Sequence, residues 1–198
     1  MRQSKRRKEF GPLIDFIAEA GLLKLTRRSG WSVLGIKNAE SVAEHSFRCA
    51  VIGYLLAKTE RVHEYKVLLM TLLNDVHEAR ITDLHKMAQR YFDIEKAEDM
   101  SFEEQIGSLP PEIKSELSLL RREYMAQKTK ESIVARDADI LECLIQAKEY
   151  HDFGYGRAHQ FMRKAPAFLK TKSAKRLWRL AKEADLNSWW QGLSRFKR

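Results

Sequence analysis

No apolar run in this 198-residue chain approaches the roughly 20 residues needed to span a bilayer, so a transmembrane protein is not expected. The basic stretch Met1 to Lys8 has no long apolar segment behind it, which excludes a secretory signal and makes the cytoplasm the expected location. Cysteine is scarce. Cys49 and Cys143 have no Cys-x-x-Cys spacing and sit beside apolar residues, so both read as reduced core thiols. There are no internal repeats, no low-complexity tracts and no sustained strand-like alternation. Acids are nearly missing from one region: residues 157–198 carry 12 Lys/Arg against 2 Asp/Glu, while the other 156 residues carry 24 against 25. A basic tail attracts phosphates, but it is more often a solvated helix face, and that reading is preferred over nucleic-acid binding.

The composition is that of a soluble globular protein, 44% apolar and 32% charged. Every clear element is helical, so an all-α, compact helical bundle forming a single domain is expected, with its core over about residues 10–155 and a basic helical extension over about 157–198. Helical spacing predicts a first helix over 9–25, with Pro12 near its start. Ser41-Val42-Ala43-Glu44 fits a capping box and opens a second helix. Residues 61–80 predict a third, central helix, apolar nearly all round. A short helix over 84–98, capped by Thr82 or Asp83, follows. Pro110-Pro111 signals the next helix start, residues 131–151 a core helix, and residues 173–191 a last basic helix bearing Trp178, Trp189 and Trp190.

Chemistry concentrates at Asn74-Asp75-Val76-His77-Glu78. Carboxylates at the end of an apolar helix are costly unless paired or bound to a cation. On a helix, Asn74, Asp75 and Glu78 share one side. The same reasoning applies to Asp137 and Asp139 inside the apolar 131–151 run, with Glu142 one turn later. His45 opens the second helix. His45, Asp75 and Asp139 together form a plausible nitrogen/oxygen metal site. The loop Arg27-Arg28-Ser29-Gly30-Trp31 offers cations for a phosphate and a ring for a base, or else is a surface loop anchored by one tryptophan.

Three stretches in this order, Ser-Val-Ala-Glu-His-Ser (41–46), Asn-Asp-x-x-Glu-Ala-x-x-x-Asp-Leu (74–84) and Asp-Ala-Asp-x-x-Glu (137–142), resemble the HD-domain metal-dependent phosphohydrolases. The resemblance covers roughly residues 10–155 and is nearest to the 5′-deoxynucleotidase-like branch, which also includes the eukaryotic HD-domain-containing protein 2. It implies an HD-domain helical bundle, a homodimer, a divalent metal ion (Mn, Co or Mg) and a nucleotide substrate. By that resemblance His45, Asp75 and Asp139 match metal ligands, with Asn74 at the fourth ligand position. Glu78 matches the residue acting on the attacking water, and Asp83 a second catalytic acid near the substrate. Trp31 matches a tryptophan lining the nucleotide pocket, and Arg28 an arginine on the phosphate.

One departure stands out: Asn74 occupies the place of the histidine of the family's His-Asp pair. An amide offers only a weak neutral oxygen. Three readings stay open. Asn74 coordinates through its oxygen and favours harder ions such as Mg or Mn; His77 swings in, which is disfavoured; or the site is silenced. The expected function is hydrolysis of nucleoside 5′-monophosphates, deoxyribonucleotides foremost. The alternative is a catalytically weakened or silent nucleotide-binding module.

Overall fold

The structure is a computed structural model that describes residues 2–191 and residue 193, with side chains from Phe10 onward. Ten α-helices run in the order α1 (Arg2–Leu22), α2 (Val42–Glu60), α3 (Glu64–Leu73), α4 (Glu78–Ile81), α5 (Lys86–Gln89), α6 (Ile94–Ile106), α7 (Pro111–Ala126), α8 (Lys130–Asp152), α9 (His159–Lys164) and α10 (Lys172–Glu183). Among the described residues there is no strand, only an isolated bridge between Arg27 and Ser41, and no helix is long and apolar enough to cross a membrane. The all-α expectation holds.

The centre is the packing of α2, α3 and α8. Leu56, Ala57, Val67, Val134, Ala138, Leu141 and Leu144 form its apolar core. Gly53 lets α2 and α3 approach closely: a Cβ there would lie 2.9 Å from Thr71 Cγ2. Both long central helices open with capping boxes, Ser41 with Glu44 on α2 and Thr129 with Ser132 on α8. Each cap is worth about 1 kcal/mol. The α2 cap also fixes where His45 starts.

Several boundaries differ from expectation. Helix α1 begins at Arg2, so Pro12 falls inside it, and the helix closes at Leu22, whose carbonyl accepts from Thr26 N and Oγ1. The third helix ends at Leu73, with Asn74 as its cap, and residues 74–77 run as successive turns before α4. Asn74, Asp75 and Glu78 therefore share a helix-to-helix corner rather than a helix face. Helix α3 is also not buried all round, since Leu72 is exposed. The 84–98 segment splits into α5 and the start of α6; α5 is capped by His85, whose Nδ1 accepts from Ala88 N. Asp83 is engaged elsewhere.

The C-terminal part is built into the core. Asp137, fully buried on α8, accepts from Lys170 N, Thr171 N and Thr171 Oγ1 at 2.9, 2.6 and 2.6 Å. Glu60 accepts from Ser173 N at 3.1 Å. Leu169, Ala174 and Trp178 complete the central cluster. Helix α10 ends at Glu183 because Asp185 starts a turn, accepting from Asn187 N and Ser188 N; Trp189 and Trp190 lie beyond it and are exposed. Arg195, Lys197 and Arg198 of the basic tail lie outside the described residues.

Candidate metal and phosphate site

His45 sits in the first turn of α2 with its ring buried. Its Nε2 lies 3.3 Å from Asp139 Oδ1 on α8 and 3.5 Å from Asp75 Oδ2 at the corner after α3. Three separate elements thus bring an imidazole nitrogen and two carboxylates to one point. Two arginines flank this point. Arg28 Nη1 lies 3.5 Å from Asp75 Oδ2 and its Nε 3.9 Å from Asp83 Oδ2. Arg136 donates to Asp139 Oδ2 at 3.0 Å and to the Tyr124 hydroxyl at 3.2 Å. Asp83 also accepts from Ser29 N at 2.8 Å, which ties the Arg28 loop to the corner after α4.

The other face of the imidazole is held as firmly. Its Nδ1 bonds Glu142 Oε2. Glu142 is fully buried and its Oε1 accepts from Arg48 Nε at 2.9 Å. Glu40 lies close by: donor atoms of Glu40, His45 and Glu142 fall within 4.8 Å of one another. These acids already have partners, Arg48 for Glu142 and Trp31 Nε1 for Glu40 at 2.9 Å. Their geometry orients the ring and turns Nε2 toward Asp139 and Asp75.

Burial and charge set the protonation. Burial and Arg28 push the His45 pKa down, but Asp139 and Glu142 outweigh them and raise it to about 10. Asp139 is held below the usual carboxylate range: burial opposes this, and His45, Arg136 and Arg28 prevail. Burial, with Asp75 and Asp83 beside it, pushes Glu78 up to about 10. Its Oε2 is buried with no hydrogen-bond partner. An orphaned buried carboxyl oxygen in a polar corner is a place where a proton, a water or a ligand is needed. Burial, then Glu142, raises Glu40 to about 7.

The residues expected from the sequence are placed as follows. His45, Asp75, Asp139, Arg28 and Asp83 are linked by the contacts above, and Glu78 feels Asp75, Asp83, Arg28 and His45. Asn74 lies beside Asp75 and donates from Nδ2 to its Oδ1 at 2.6 Å. To offer its oxygen to a cation, Asn74 must give up this bond and turn its amide. His77 points into another cluster, 3.8 Å from Glu98 and 3.5 Å from Arg121, so it does not substitute for a ligand at position 74. Trp31 is 2% exposed. It packs on Tyr150 and Phe161, with ring centroids 5.2 and 4.7 Å away, and so lies behind the Arg28 loop as an anchor, with no free face for a base. Asp137 answers a backbone, not a cation. Cys49 and Cys143 are free thiols. Burial drives the Cys143 pKa up to about 12.

Sequence reasoning missed Arg48, Glu40 and the task of Glu142. A signal was present. His45 and Arg48 are three apart on α2, and Glu142, Gln146 and Glu149 recur at four and three on α8, so each set shares a helix face.

The donor set fits a divalent cation: one oriented imidazole nitrogen, one carboxylate from α8 and one from the corner after α3, and an amide at the adjoining position. Comparison with known proteins agrees with the fold. The HD domain profile matches residues 20–178. The protein 5′-deoxynucleotidase HDDC2 of Dictyostelium discoideum is 31% identical over 149 residues, covering 69% of this chain and 76% of that protein. Its namesake in Homo sapiens is 29% identical over 156 residues, covering 75% and 74%. Among solved structures, a conserved hypothetical protein from Pyrococcus furiosus is 34% identical with a TM-score of 0.71, covering 86% of this chain and 97% of that one. The PH0347 protein from Pyrococcus horikoshii OT3 is 29% identical with a TM-score of 0.73, covering 85% and 98%. The match over 20–178, together with the His45, Asp75 and Asp139 cluster, places this chain in the HD-domain family.

Proposed function

We propose that this protein is a metal-dependent phosphohydrolase that releases inorganic phosphate from nucleoside 5′-monophosphates, with deoxyribonucleotides as the favoured class. The observation that carries this reading is the convergence of Asp75 and Asp139 on His45 Nε2 with Arg28 beside them. The relatives named 5′-deoxynucleotidase, at 31% and 29% identity, supply the substrate class. His45, Asp75 and Asp139 would hold the ion, with Asn74 contributing an amide oxygen. Oxygen-rich donors favour Mg or Mn over Co. When bound, a divalent ion neutralises phosphate charge and makes water more acidic.

The remaining chemistry belongs to side chains. Arg28 binds the phosphate, since its planar fork suits phosphoryl oxygens. Asp83 keeps that fork in place through Arg28 Nε and Ser29 N. Glu78, its pKa pushed up by burial and by Asp75 and Asp83 beside it, holds a proton more readily than an ordinary carboxyl. It donates this proton to the departing 5′-oxygen of the nucleoside and, as a carboxylate, takes one from the incoming water. Its burial keeps bulk water from short-circuiting the transfer. Trp31 fixes the loop that carries Arg28 from behind.

A second copy of the chain is the proposed partner. Phe47, Val51, Tyr54 and Leu55 form an exposed apolar strip on α2, at spacings of four, three and one. The strip lies on the helix that carries His45, facing away from the site.

The silent binding module stays as the second reading because of Asn74. Phosphate release from a panel of nucleoside and deoxynucleoside monophosphates, with Mg, Mn or Co added, tests the proposal. Release that depends on metal and favours monophosphates supports it. Nucleotide binding with no release at any metal supports the module instead.

A further inference from the structure

We propose that Arg48 is a positioning residue: it fixes Glu142, and through Glu142 the His45 ring, so that Nε2 faces Asp75 and Asp139. The inference deepens the metal-site reading above and rests on it. Arg48 touches none of the candidate ligands. Its Nε and Nη2 reach Glu142 Oε1 at 2.9 and 2.8 Å. Its Nη1 donates to both oxygens of Glu149 at 2.8 and 2.7 Å, and Nη2 donates to Gln146 at 2.7 Å. The guanidinium is therefore clamped along one face of α8, from Glu142 to Glu149. Glu142 has one oxygen on Arg48 and the other on His45 Nδ1.

This geometry matters because a fully buried carboxylate that lost Arg48 would be short of a partner. It would turn toward another donor. That movement alters the bond at Nδ1, and with it the orientation of the ring. The fork is also specific to arginine. A lysine ammonium is a single point and cannot reach Glu142, Gln146 and Glu149 with the same planarity. Burial works against the Arg48 charge, yet Glu142 and Glu149 raise its pKa further, so it stays a cation throughout the working range.

The test is Mn²⁺ affinity of the full chain, measured by electron paramagnetic resonance for the wild type, Glu142→Gln, Arg48→Met and Arg48→Lys, with thermal melts confirming folding. The relay predicts about 10- to 100-fold weaker Mn²⁺ binding for Glu142→Gln and Arg48→Met, an intermediate loss for Arg48→Lys, and a fall in kcat larger than any change in nucleotide KM. A folded Arg48→Met protein that binds Mn²⁺ as tightly as wild type overturns it. Should Arg48→Met not fold, ¹⁵N spectra of His45 in the Mg²⁺-loaded wild type decide: a protonated Nδ1 with an unprotonated Nε2 supports the relay, and the reverse tautomer overturns it. If the wild type takes up no Mn²⁺, the hydrolase reading falls separately. The relay is then judged by the His45 Nδ1 proton resonance, which Glu142→Gln must shift; an unmoved resonance sinks it.

Discussion

Nε2 of His45 and Oδ1 of Asp139 lie 3.3 Å apart, a helix-start imidazole facing a mid-helix carboxylate from the opposite wall of the core. That pair, with Asp75, sets the chemistry of the site and gives its first pH dependence. Burial and Arg28 oppose protonation of His45, but Asp139 and Glu142 raise its pKa to about 10. An ion binding at Nε2 must displace that proton, so metal affinity rises with pH, by up to about tenfold per unit below pH 10 for one released proton. Mn²⁺ titrations at neutral and mildly alkaline pH check this. An affinity that does not change with pH would show that His45 is not a ligand.

Glu78→Gln keeps the shape of the corner and removes the titratable carboxyl proton. Turnover is expected to fall about 10²- to 10⁴-fold, with a much smaller change in nucleotide KM. Steady-state phosphate release measures both. Full activity in this variant would remove Glu78 from the mechanism.

Asp137→Ala tests the reading of the neighbouring acid. The substitution removes three hydrogen-bond acceptances and leaves Lys170 N and Thr171 N without their partner. A loss of about 3 kcal/mol is expected. For a chain of this size that lowers the melting temperature by roughly 6–12 °C. Mn²⁺ affinity at 25 °C should stay near wild type. A selective loss of metal with an unchanged melt would mean that Asp137 serves the ion after all.

Phe47→Glu places a charge in the exposed apolar strip of α2. Light scattering coupled to size exclusion is expected to give two chains for the wild type and one for the variant, with the helical circular dichroism unchanged. A monomeric wild type would contradict the proposed self-association.

Much of this was legible in the sequence, and the gaps have physical causes. Both capping boxes matter locally, and Ser41 with Glu44 was read directly because its bonds span three residues. The α8 helix follows the apolar spacing to within a residue or two at its ends. His45, Asp75 and Asp139 stood out because ionisable groups interrupt apolar helical runs. What local pattern does not carry is where a helix stops without a glycine or proline. The third helix leaves its path at Leu73, and nothing in Leu72-Leu73-Asn74-Asp75 marks that corner. Asp137 and Asp139 are alike in sequence, yet one accepts from a chain segment 33 and 34 positions on and the other faces His45. The work of Glu142 depends on a partner 97 positions away. From the sequence Trp31 reads equally as a stacking ring or as a loop anchor, and only the packing of Phe161 and Tyr150 on it decides for the anchor.

Asn74 is the proposed ligand that departs from histidine, and its amide is bonded to Asp75. The most direct measurement is phosphate release from deoxynucleoside monophosphates with added Mg, Mn or Co, for the wild type and Asn74→His side by side. Metal-dependent release by the wild type is expected, strongest with Mg or Mn, and faster release with a shift toward Co once the imidazole is present. Release by Asn74→His alone would mean a hydrolase scaffold silenced at one ligand. Silence in both, at every metal, would contradict the account.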